Sequence, residues 1–460
     1  MAETEDGVID REEDEYILDS RVVDAILDAV EANDAETIAA LMEPLHAADI
    51  ADLLEQIGSA DRAGLIALWS GGIDGEILSE LDESIREEVI DLLPHDVLSD
   101  AVRELDSDDV VDLIEDLEVP QQERILGALE DSDRAAVEQS MAYPEYSAGR
   151  LMQREVVTAP EHWTVGEAID FLRNAKELPD QFYHVIIVDP RWHPVGNVTL
   201  GKLLSSKRAV RLVDIVEESF RTIDVMEAEG DVAYAFNQYH LISAPVVDAD
   251  ERLVGVITID DAMAVLDEEL EEDILRLAGV GDGSLSDSVF ETARRRLPWL
   301  TVNLVTANIA AYVISEFENV IAKVVALAVL MPIVASMGGS AGIQGLTVAV
   351  RAIATRDLTG SNLLRVIRRE ATVGLINGVV FACLMGAVGA FWFGSLTLGA
   401  LLAAALMVNL VVAGVAGIVV PVTLDKAGVD PALASGAFVT TVTDVVGFFA
   451  FLGLATLVLL

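Results

Sequence analysis

The C-terminal third of the chain consists of apolar runs, each long enough to cross a membrane, and this limits what the chain can fold into. A bilayer core about 30 Å thick requires about 20 apolar residues in a helix. Within lipid, a spanning segment must also satisfy its own backbone hydrogen bonds, which favours helices. The sequence therefore predicts five transmembrane helices, over 298–315, 320–350, 366–393, 396–424 and 431–460.

Charge is distributed very unevenly along the chain. Residues 297–460 hold seven acids and seven bases, so the net charge of −49 lies entirely in residues 1–296. Two explanations remain open for this excess. Lysine is rare, as in proteins from extreme halophiles, whose acidic surfaces are screened by concentrated salt; alternatively, the carboxylates bind cations. So acidic a balance argues against nucleic acid as a partner.

The flanking charges predict the orientation in the lipid bilayer. Arg294, Arg295 and Arg296 directly precede the first apolar run, and basic residues collect on the cytoplasmic side of membrane proteins. The first residues, MAETEDGVIDREEDE, lack the basic and apolar regions of a cleaved signal. We therefore expect a multi-pass protein of the cell membrane with a cytoplasmic N-terminus and, after five crossings, an extracellular C-terminus.

Short amphipathic segments recur before the apolar runs. ADIADLLEQI, REEVIDLL, DVLSDAVREL and DVVDLIEDL each cover two to three helical turns with an acidic outer face. Units of this kind bury their apolar faces by stacking on their neighbours. The pattern predicts an all-α superhelical domain.

From Leu151 the sequence alternates helical and β-rich runs, and it does so twice. LMQREVVTAPEHWTVGEAIDFL and HVIIVDPRWHPVGNVTLGKLL form the first unit; IVEESFRTIDVMEAEGDVAYAF and SAPVVDADERLVGVITIDDAMAVL form the second. In each, a strand and a helix precede a strand that ends in Val-Asp, a turn, and a strand with Val-Gly that leads into a helix. The order resembles a tandem pair of CBS domains, an α+β module with clefts for adenine nucleotides.

Asp444 lies near the middle of the last apolar run, where a carboxylate costs about 2.5 to 3.5 kcal/mol. At 100° per residue, Thr440 and Thr441 fall on the same side of the helix. No basic residue lies deep in a predicted span, so a mobile cation is the natural counter-charge. A structural carboxylate is the alternative, bonded to an asparagine of another helix; the candidates are Asn303, Asn308, Asn377 and Asn409.

A divalent ion needs more than one carboxylate. A two-fold homodimer would bring two copies of Asp444 to its axis, and their charges would match one Mg²⁺. Magnesium sheds its octahedral water shell reluctantly. We therefore expect carboxylates, hydroxyls and carbonyls that hold a hydrated ion.

Several motifs, in order, resemble the MgtE family of magnesium channels. They are the junction MAYPEYSAGRLM, the CBS pair, LMPIVASMGGSAGIQGLTVAVRAIA and DPALASGAFVTTVTDVVGFFAFLGLA. The resemblance implies a homodimer whose pore is lined by the second and fifth spans, with Asp444 as the pore carboxylate and Gly338, Gly339 and Ser340 as the second-span motif. The family commonly carries asparagine where Ser340 stands, so the preference for Mg²⁺ over other divalent cations stays open.

The resemblance implies a multidomain membrane protein with an all-α N domain, an α+β CBS pair, a connecting plug helix and a five-helix α transmembrane domain. The expected boundaries are 1–15 for a disordered acidic leader, 16–140 for the N domain, 141–213 and 214–270 for the CBS domains, 271–297 for the plug helix and 298–460 for the transmembrane domain.

Gating by cytosolic Mg²⁺ is also implied. Acidic faces repel one another until divalent ions bridge them, so high Mg²⁺ would compact the assembly and close the pore. The candidate ligands lie on the CBS pair, the plug helix and the N domain. They are Asp260, Asp261, Asp267, Glu268, Glu271, Glu272 and Asp273, with Asp91, Asp96 and Asp100 as partners from the N domain.

The end of the second CBS unit, GVITIDD over 255–261, is similar to the family's ribose-binding turn. It implies that Thr258 and Asp261 contact the phosphate and the ribose of ATP. The first unit has Thr199 but Lys202 where the acid would fall. One cleft is therefore expected to be competent, and a purely structural CBS pair is the alternative.

The leading hypothesis is a Mg²⁺-selective channel for magnesium uptake. A secondary transporter that couples divalent metal to another cation is the near alternative, and a membrane-anchored CBS sensor without permeation belongs to a different class. The chain shows no paired nucleophile and base, no Walker-type loop and no zinc-type histidine spacing. An enzyme is therefore not expected.

Overall fold

The computed structural model describes residues 18–115, 117–175, 178–179, 181–217, 220–280 and 289–459. The expected acidic leader, 1–15, lies outside these residues. The chain forms two units, Met1–Asp267 and Glu268–Leu460, and each is described by itself.

Ten short helices come first in the described part of the first unit. Apolar residues at helical spacing, such as Ile26, Leu53, Val89 and Ile114, are fully buried and belong to one continuous core. The predicted helical domain is therefore confirmed. Its helices are α1 (Ser20–Glu31), α2 (Ala35–Met42), α3 (Ala47–Gln56), α4 (Ser59–Trp69), α5 (Gly75–Ser79), α6 (Glu83–Leu92), α7 (His95–Val102), α8 (Ser107–Glu115), α9 (Val119–Leu126) and α10 (Asp131–Ser140).

Buried arginines join successive helices of this domain. Arg62 is only 4 % exposed and donates to the main-chain carbonyls of Leu54 at 2.7 Å and Ile57 at 3.1 Å. Arg86 is 5 % exposed and donates to the carbonyl of Leu81 at 3.0 Å. Carbonyls at the ends of helices lack partners within their own helix. Arg62 supplies such partners at the end of α3, and Arg86 binds the carbonyl of Leu81, between α5 and α6, so the junctions between these short helices can be buried.

The CBS pair follows, as two three-stranded sheets with the same topology, which confirms the predicted α+β module. In each sheet the first strand is parallel to the second and the second is antiparallel to the third. The central strands, HVIIV and SAPVV, are buried throughout. The elements are α11 (Ala148–Leu151), β1 (Thr158–Pro160), α12 (Val165–Asn174), β2 (His184–Val188), β3 (Pro194–Thr199), α13 (Leu200–Ser205), β4 (Ile223–Asp224), α14 (Glu229–Tyr239), β5 (Ser243–Val247), β6 (Leu253–Thr258) and α15 (Ile259–Leu277).

The segment expected to form a plug helix, 271–297, is divided between other elements. Its first residues are the last turns of α15, which ends at Leu277. Residues 281–288 lie outside the described part of the chain. The remaining residues belong to α16, which begins at Val289 and continues into the first span.

Within the described residues, five helices are long and apolar enough to cross a membrane, as the sequence predicts. The run expected over 320–350 contains a break, because the backbone leaves the helical conformation at Val324 before the crossing helix begins at Ala326. The elements are α16 (Val289–Ser315), the short α17 (Glu318–Lys323), α18 (Ala326–Ala354), α19 (Leu363–Phe393), α20 (Leu396–Lys426) and α21 (Pro431–Leu459).

The glycines of α18 that face other helices, such as Gly342, pack closely and do not break the helix. A Cβ added to Gly342 would lie 2.6 Å from the side chain of Val439 on α21. A Cβ added to Gly417 of α20 would lie 2.8 Å from the carbonyl oxygen of Gly342. Glycines therefore let α18 approach both α20 and α21 at distances that larger residues would prevent.

Asn409 fills a slot formed by two glycines of neighbouring helices. Its side chain is completely buried, and its Nδ2 donates to the carbonyl of Val334 at 2.8 Å. A Cβ on Gly338 would overlap this amide, and one on Gly447 would lie 2.7 Å from Nδ2. The amide therefore links α18, α20 and α21.

This slot gives a test of packing. Gly338→Ala should destabilise the protein by roughly 1 to 3 kcal/mol, the usual cost of overpacking, and lower its thermal unfolding midpoint in detergent. Gly339→Ala is the matched control, because a Cβ there meets nothing within 4 Å. Truncation by Asn409→Ala should relieve the clash, so the double variant should be more stable than the sum of the single effects. Equal midpoints for the two alanine variants would contradict this account.

Candidate functional site

A cavity of about 300 Å³ lies within the second unit, among helices of the membrane domain. Three of the spanning helices and the end of α15 with its following turn contribute to it. Its lining residues are Leu277, Ala278, Gly279, Trp299, Asn303, Thr306, Ala307, Ile343, Leu433, Gly436, Ala437, Thr440, Thr441 and Asp444.

The polar face of α21 forms one wall of this cavity. Thr440, Thr441 and Asp444 recur at helical spacing and therefore share a side of the helix. The hydroxyl of Thr440 donates to the carbonyl of Gly436 at 2.9 Å, and that of Thr441 to Ala437 at 2.6 Å. A hydroxyl whose proton is used in this way presents its oxygen as an acceptor. The wall therefore offers a carboxylate and two acceptor oxygens, which suits a cation or the waters around it.

Asp444 is half-buried on this wall. In the described part of the chain, the structure gives it no ion pair and no hydrogen bond to any of the four candidate asparagines. Asn409 donates to a main-chain carbonyl of α18, Asn308 donates to its own helix, and Asn377 is exposed. Asn303 lines the same cavity as Asp444. Within the described residues, none of these asparagines therefore forms the hydrogen bond that a structural role for Asp444 requires.

The second-span motif lies elsewhere on α18. Gly338 packs against Asn409, a Cβ on Gly339 would meet open space, and Ser340 is exposed on the single chain. The residue of α18 that lines the cavity is Ile343. The structure does not bring the three motif residues to this cavity, and their role in a pore stays a prediction.

A second group of acids lies in the first unit, where α8 and α15 begin. Burial and the charge of Asp261 raise the pKa of Asp109 to about 7 and that of Asp108 well above its usual range. Burial raises the pKa of Asp261 to about 6, although its carboxylate accepts hydrogen bonds from the Thr258 hydroxyl at 2.6 Å and amide at 3.2 Å. Asp260, which is exposed, adds to the repulsion. These four carboxylates therefore carry more negative charge than their surroundings balance.

Three N-domain partners expected from the sequence are exposed. Asp91 accepts a hydrogen bond from Gln121 at 3.5 Å, and Asp100 pairs with Arg103 at 3.7 Å. Asp96 is exposed in the first turn of α7. The carboxylates that interact electrostatically with Asp261 lie at or directly before the start of α8, and the sequence alone did not indicate them. They are Asp106, Asp108 and Asp109.

The remaining acid candidates lie in the later turns of α15. Arg276 pairs with Glu272 on the same helix and with Asp430 at 2.9 Å. Asp430 also accepts from the amide of Ala432 at 2.7 Å, at the start of α21. Burial and the charge of Asp430 raise the pKa of Asp273 to about 6. Asp267, Glu268 and Glu271 are exposed.

No group of three or more His, Cys, Asp or Glu side chains within the described ranges is arranged to hold a metal ion. The regulatory ligand set expected from the sequence therefore stays a prediction.

The residues predicted to bind a nucleotide form hydrogen bonds within their own turns. Thr258 and Asp261 bond to each other at the start of α15, and Thr199 caps α13 through the amide of Lys202 at 3.3 Å. A separate cavity of about 50 Å³ lies in the CBS pair beside His184. A water takes about 30 Å³ of liquid, so that cavity is too small for a nucleotide. Binding of ATP stays a prediction.

The fold and the site define a class, a multi-pass membrane protein with a helical domain and a CBS pair ahead of five spans. Family models match most of the chain: the divalent cation transporter MgtE over 331–454, the MgtE intracellular N domain over 45–146, and CBS domains over 148–208 and 214–268. The chain belongs to the MgtE family.

Curated relatives agree with this assignment. The magnesium transporter MgtE of Bacillus subtilis is 32 % identical over 332 residues, covering 72 % of this chain and 74 % of the relative. That of Thermus thermophilus is 33 % identical over 344 residues, covering 73 % and 75 %. A solved structure of the cytosolic domain of the Mg²⁺ channel MgtE in complex with ATP is 28 % identical, with a TM-score of 0.49, and covers 53 % of this chain and 99 % of that one.

Proposed function

We propose that the chain is a Mg²⁺-selective channel that carries magnesium into the cell, with a cytoplasmic N-terminus and an extracellular C-terminus. The names of its relatives, magnesium transporters of the same family, support the choice of ion. The observation that carries the proposal is Asp444, half-buried in a membrane-domain cavity beside the hydroxyls of Thr440 and Thr441.

The size of the cavity fits a hydrated ion. Six waters occupy roughly 180 Å³ at about 30 Å³ each, and the cavity holds about 300 Å³. Acceptor oxygens on its wall can bind the outward-pointing hydrogens of the shell without stripping the waters from Mg²⁺. Binding through water is weak enough for the ion to leave again, as conduction requires. In a homodimer, two Asp444 carboxylates would balance one divalent ion.

Cytosolic Mg²⁺ is the proposed gate. Asp108, Asp109 and Asp261 repel one another when ionised, and a divalent ion between them would favour the compact arrangement. At the other end of α15, Arg276 holds Asp430. Asp444 lies 14 residues further along α21, or about 21 Å at 1.5 Å per residue. Ion binding on α15 could thus be transmitted to the helix that carries the pore carboxylate.

Adenine nucleotide remains a proposed regulator only. Thr258 and Asp261 sit together at the start of α15, in the positions that the family resemblance implies for phosphate and ribose. The alternative is a CBS pair that serves purely as a structural link. Titration of the full chain with ATP, with Asp261→Asn as a comparison, distinguishes the two.

Electrical recording from the full chain in lipid vesicles tests the proposed function. A channel gives a current that reverses at the Mg²⁺ equilibrium potential and falls when Mg²⁺ is raised on the cytoplasmic side. Proton movement in a fixed ratio to Mg²⁺ would identify a coupled transporter instead. Absence of Mg²⁺ flux under all internal Mg²⁺ conditions would leave a membrane-anchored sensor.

A further inference from the structure

The first spanning helix contributes a second polar wall to the Asp444 cavity. Trp299, Asn303, Thr306 and Ala307 of α16 line it, at spacings of four, three and one residues that place them on one helical face. The rest of α16 is largely exposed and carries both apolar side chains, such as Leu304 and Ile309, and the polar Asn308. The face with Asn303 and Thr306 is the one that lines the cavity with Asp444.

Asn303 supplies the amide side chain among the residues that line this cavity. The hydroxyl of Thr306 donates to the main-chain carbonyl of Asn303 at 3.0 Å, so its oxygen is left as an acceptor. Asn308 shows a different arrangement: it is absent from the cavity lining, and its amide donates to the carbonyl of Leu304 at 2.7 Å. Two asparagines of one helix thus differ in that only Asn303 faces the site.

We propose that Asn303 is a specificity-determining residue, whose Oδ1 accepts a hydrogen bond from the water shell of the ion held by Asp444. This inference rests on the proposed function and names a residue from a second helix that acts at the same site. Waters on a cation point their hydrogens outward, so a hydrated ion needs acceptors on more than one side. Asp444 and the two threonines of α21 provide acceptors on one wall, and Asn303 and Thr306 provide them on the other.

The proposed arrangement would also discriminate between ions. Magnesium keeps a near-ideal octahedral shell at about 2.0 to 2.1 Å, whereas Ca²⁺ takes six to eight ligands at about 2.3 to 2.6 Å in flexible arrangements. Acceptors fixed on two packed helices match one shell size better than the other, because side chains on helices are held more precisely than those on loops. Removing the acceptor on one wall should affect Mg²⁺ more than Ca²⁺.

Flux of Mg²⁺ and Ca²⁺ into vesicles containing the full chain tests this inference. Asn303→Leu keeps the size of the side chain and removes its acceptor, so the ratio of Mg²⁺ to Ca²⁺ flux should fall about five- to tenfold, the effect of one ordinary hydrogen bond of about 1 to 1.4 kcal/mol. Asn308→Leu is the matched control and should leave the ratio unchanged. Asn303→Thr, which restores an acceptor oxygen, should recover part of the selectivity.

The outcomes separate this inference from the proposed function. An unchanged ratio in Asn303→Leu, together with loss of flux in Asp444→Asn, overturns the role of Asn303 and leaves the channel intact. Persistent flux in Asp444→Asn overturns the channel itself. If Asn303→Leu fails to reach the membrane, Asn303→Ala decides in its place: a lower ratio supports the inference and an unchanged ratio overturns it.

Discussion

Asp444→Asn should lower Mg²⁺ flux about 100-fold or more while leaving the protein folded. Asparagine has nearly the shape of aspartate, so the packing of α21 is kept and only the charge is lost. At an effective dielectric of about 20, a charge pair 4 Å apart is worth about 4 kcal/mol, and every 1.4 kcal/mol is a factor of ten. Screening by the water shell reduces this energy, and the remainder corresponds to a loss of Mg²⁺ flux of about 100-fold. Radiotracer or dye measurement of Mg²⁺ entry into vesicles gives the flux.

Stability provides the second readout of this variant. A carboxylate inside a membrane costs about 2.5 to 3.5 kcal/mol on the insertion scale, so its neutralisation should leave the thermal unfolding midpoint unchanged or raise it. Asp425→Asn is the control, because Asp425 is exposed at the end of α20 and does not line the cavity. A variant that unfolds more readily and yet conducts normally would show that Asp444 is a structural residue.

The sequence predicts the membrane domain well because lipid constrains it locally. Five apolar runs could only be five helices, and a 100° rotation per residue places Thr440, Thr441 and Asp444 on one face without knowledge of any other helix. The CBS pair was predictable for a related reason, since the same order of strands and helices occurs twice. In both cases the signal lies within a short stretch of sequence.

The features that the sequence could not predict depend on which helices pack against one another. Gly338 is directed toward Asn409 by the close packing of α18 on α20, and Ile343 rather than Ser340 therefore reaches the cavity. From the sequence, Asn303 is only a candidate hydrogen-bonding partner for Asp444, because the position of α16 is a tertiary property. In the sequence, Asp108 and Asp109 look like ordinary acids in the first turn of a helix, where a negative charge interacts favourably with the helix dipole. Only the approach of Asp261 shows that they form a group.

That group gives the cytosolic unit a distinct response to pH. The pKa values of Asp109 and Asp261 are raised in the folded protein to about 7 and about 6, from 3.8. The folded form therefore binds more protons than the unfolded form, and the resulting stability is fully present below pH 3.8 and is lost as pH rises through 6 to 7. After allowance for screening by solvent, we expect a loss of roughly 2 to 3 kcal/mol in the absence of divalent ions. Hydrogen exchange of α8 and α15 in the full chain at low salt measures it, and addition of Mg²⁺ should restore the lost protection.

Asp109→Asn should flatten this pH dependence, because it removes a charge that the folded form disfavours. At pH 8 without Mg²⁺, α8 should exchange more slowly than in the wild type, and the further protection gained on adding Mg²⁺ should shrink. Asp61→Asn is the matched comparison, since Asp61 is an exposed acid in the first turn of α4, and it should change neither response. The role of this group in ion sensing would be refuted if Asp109→Asn left the Mg²⁺ response intact. Equal flattening by both variants would instead attribute the pH response to the overall negative charge of the surface and not to the acids that face Asp261.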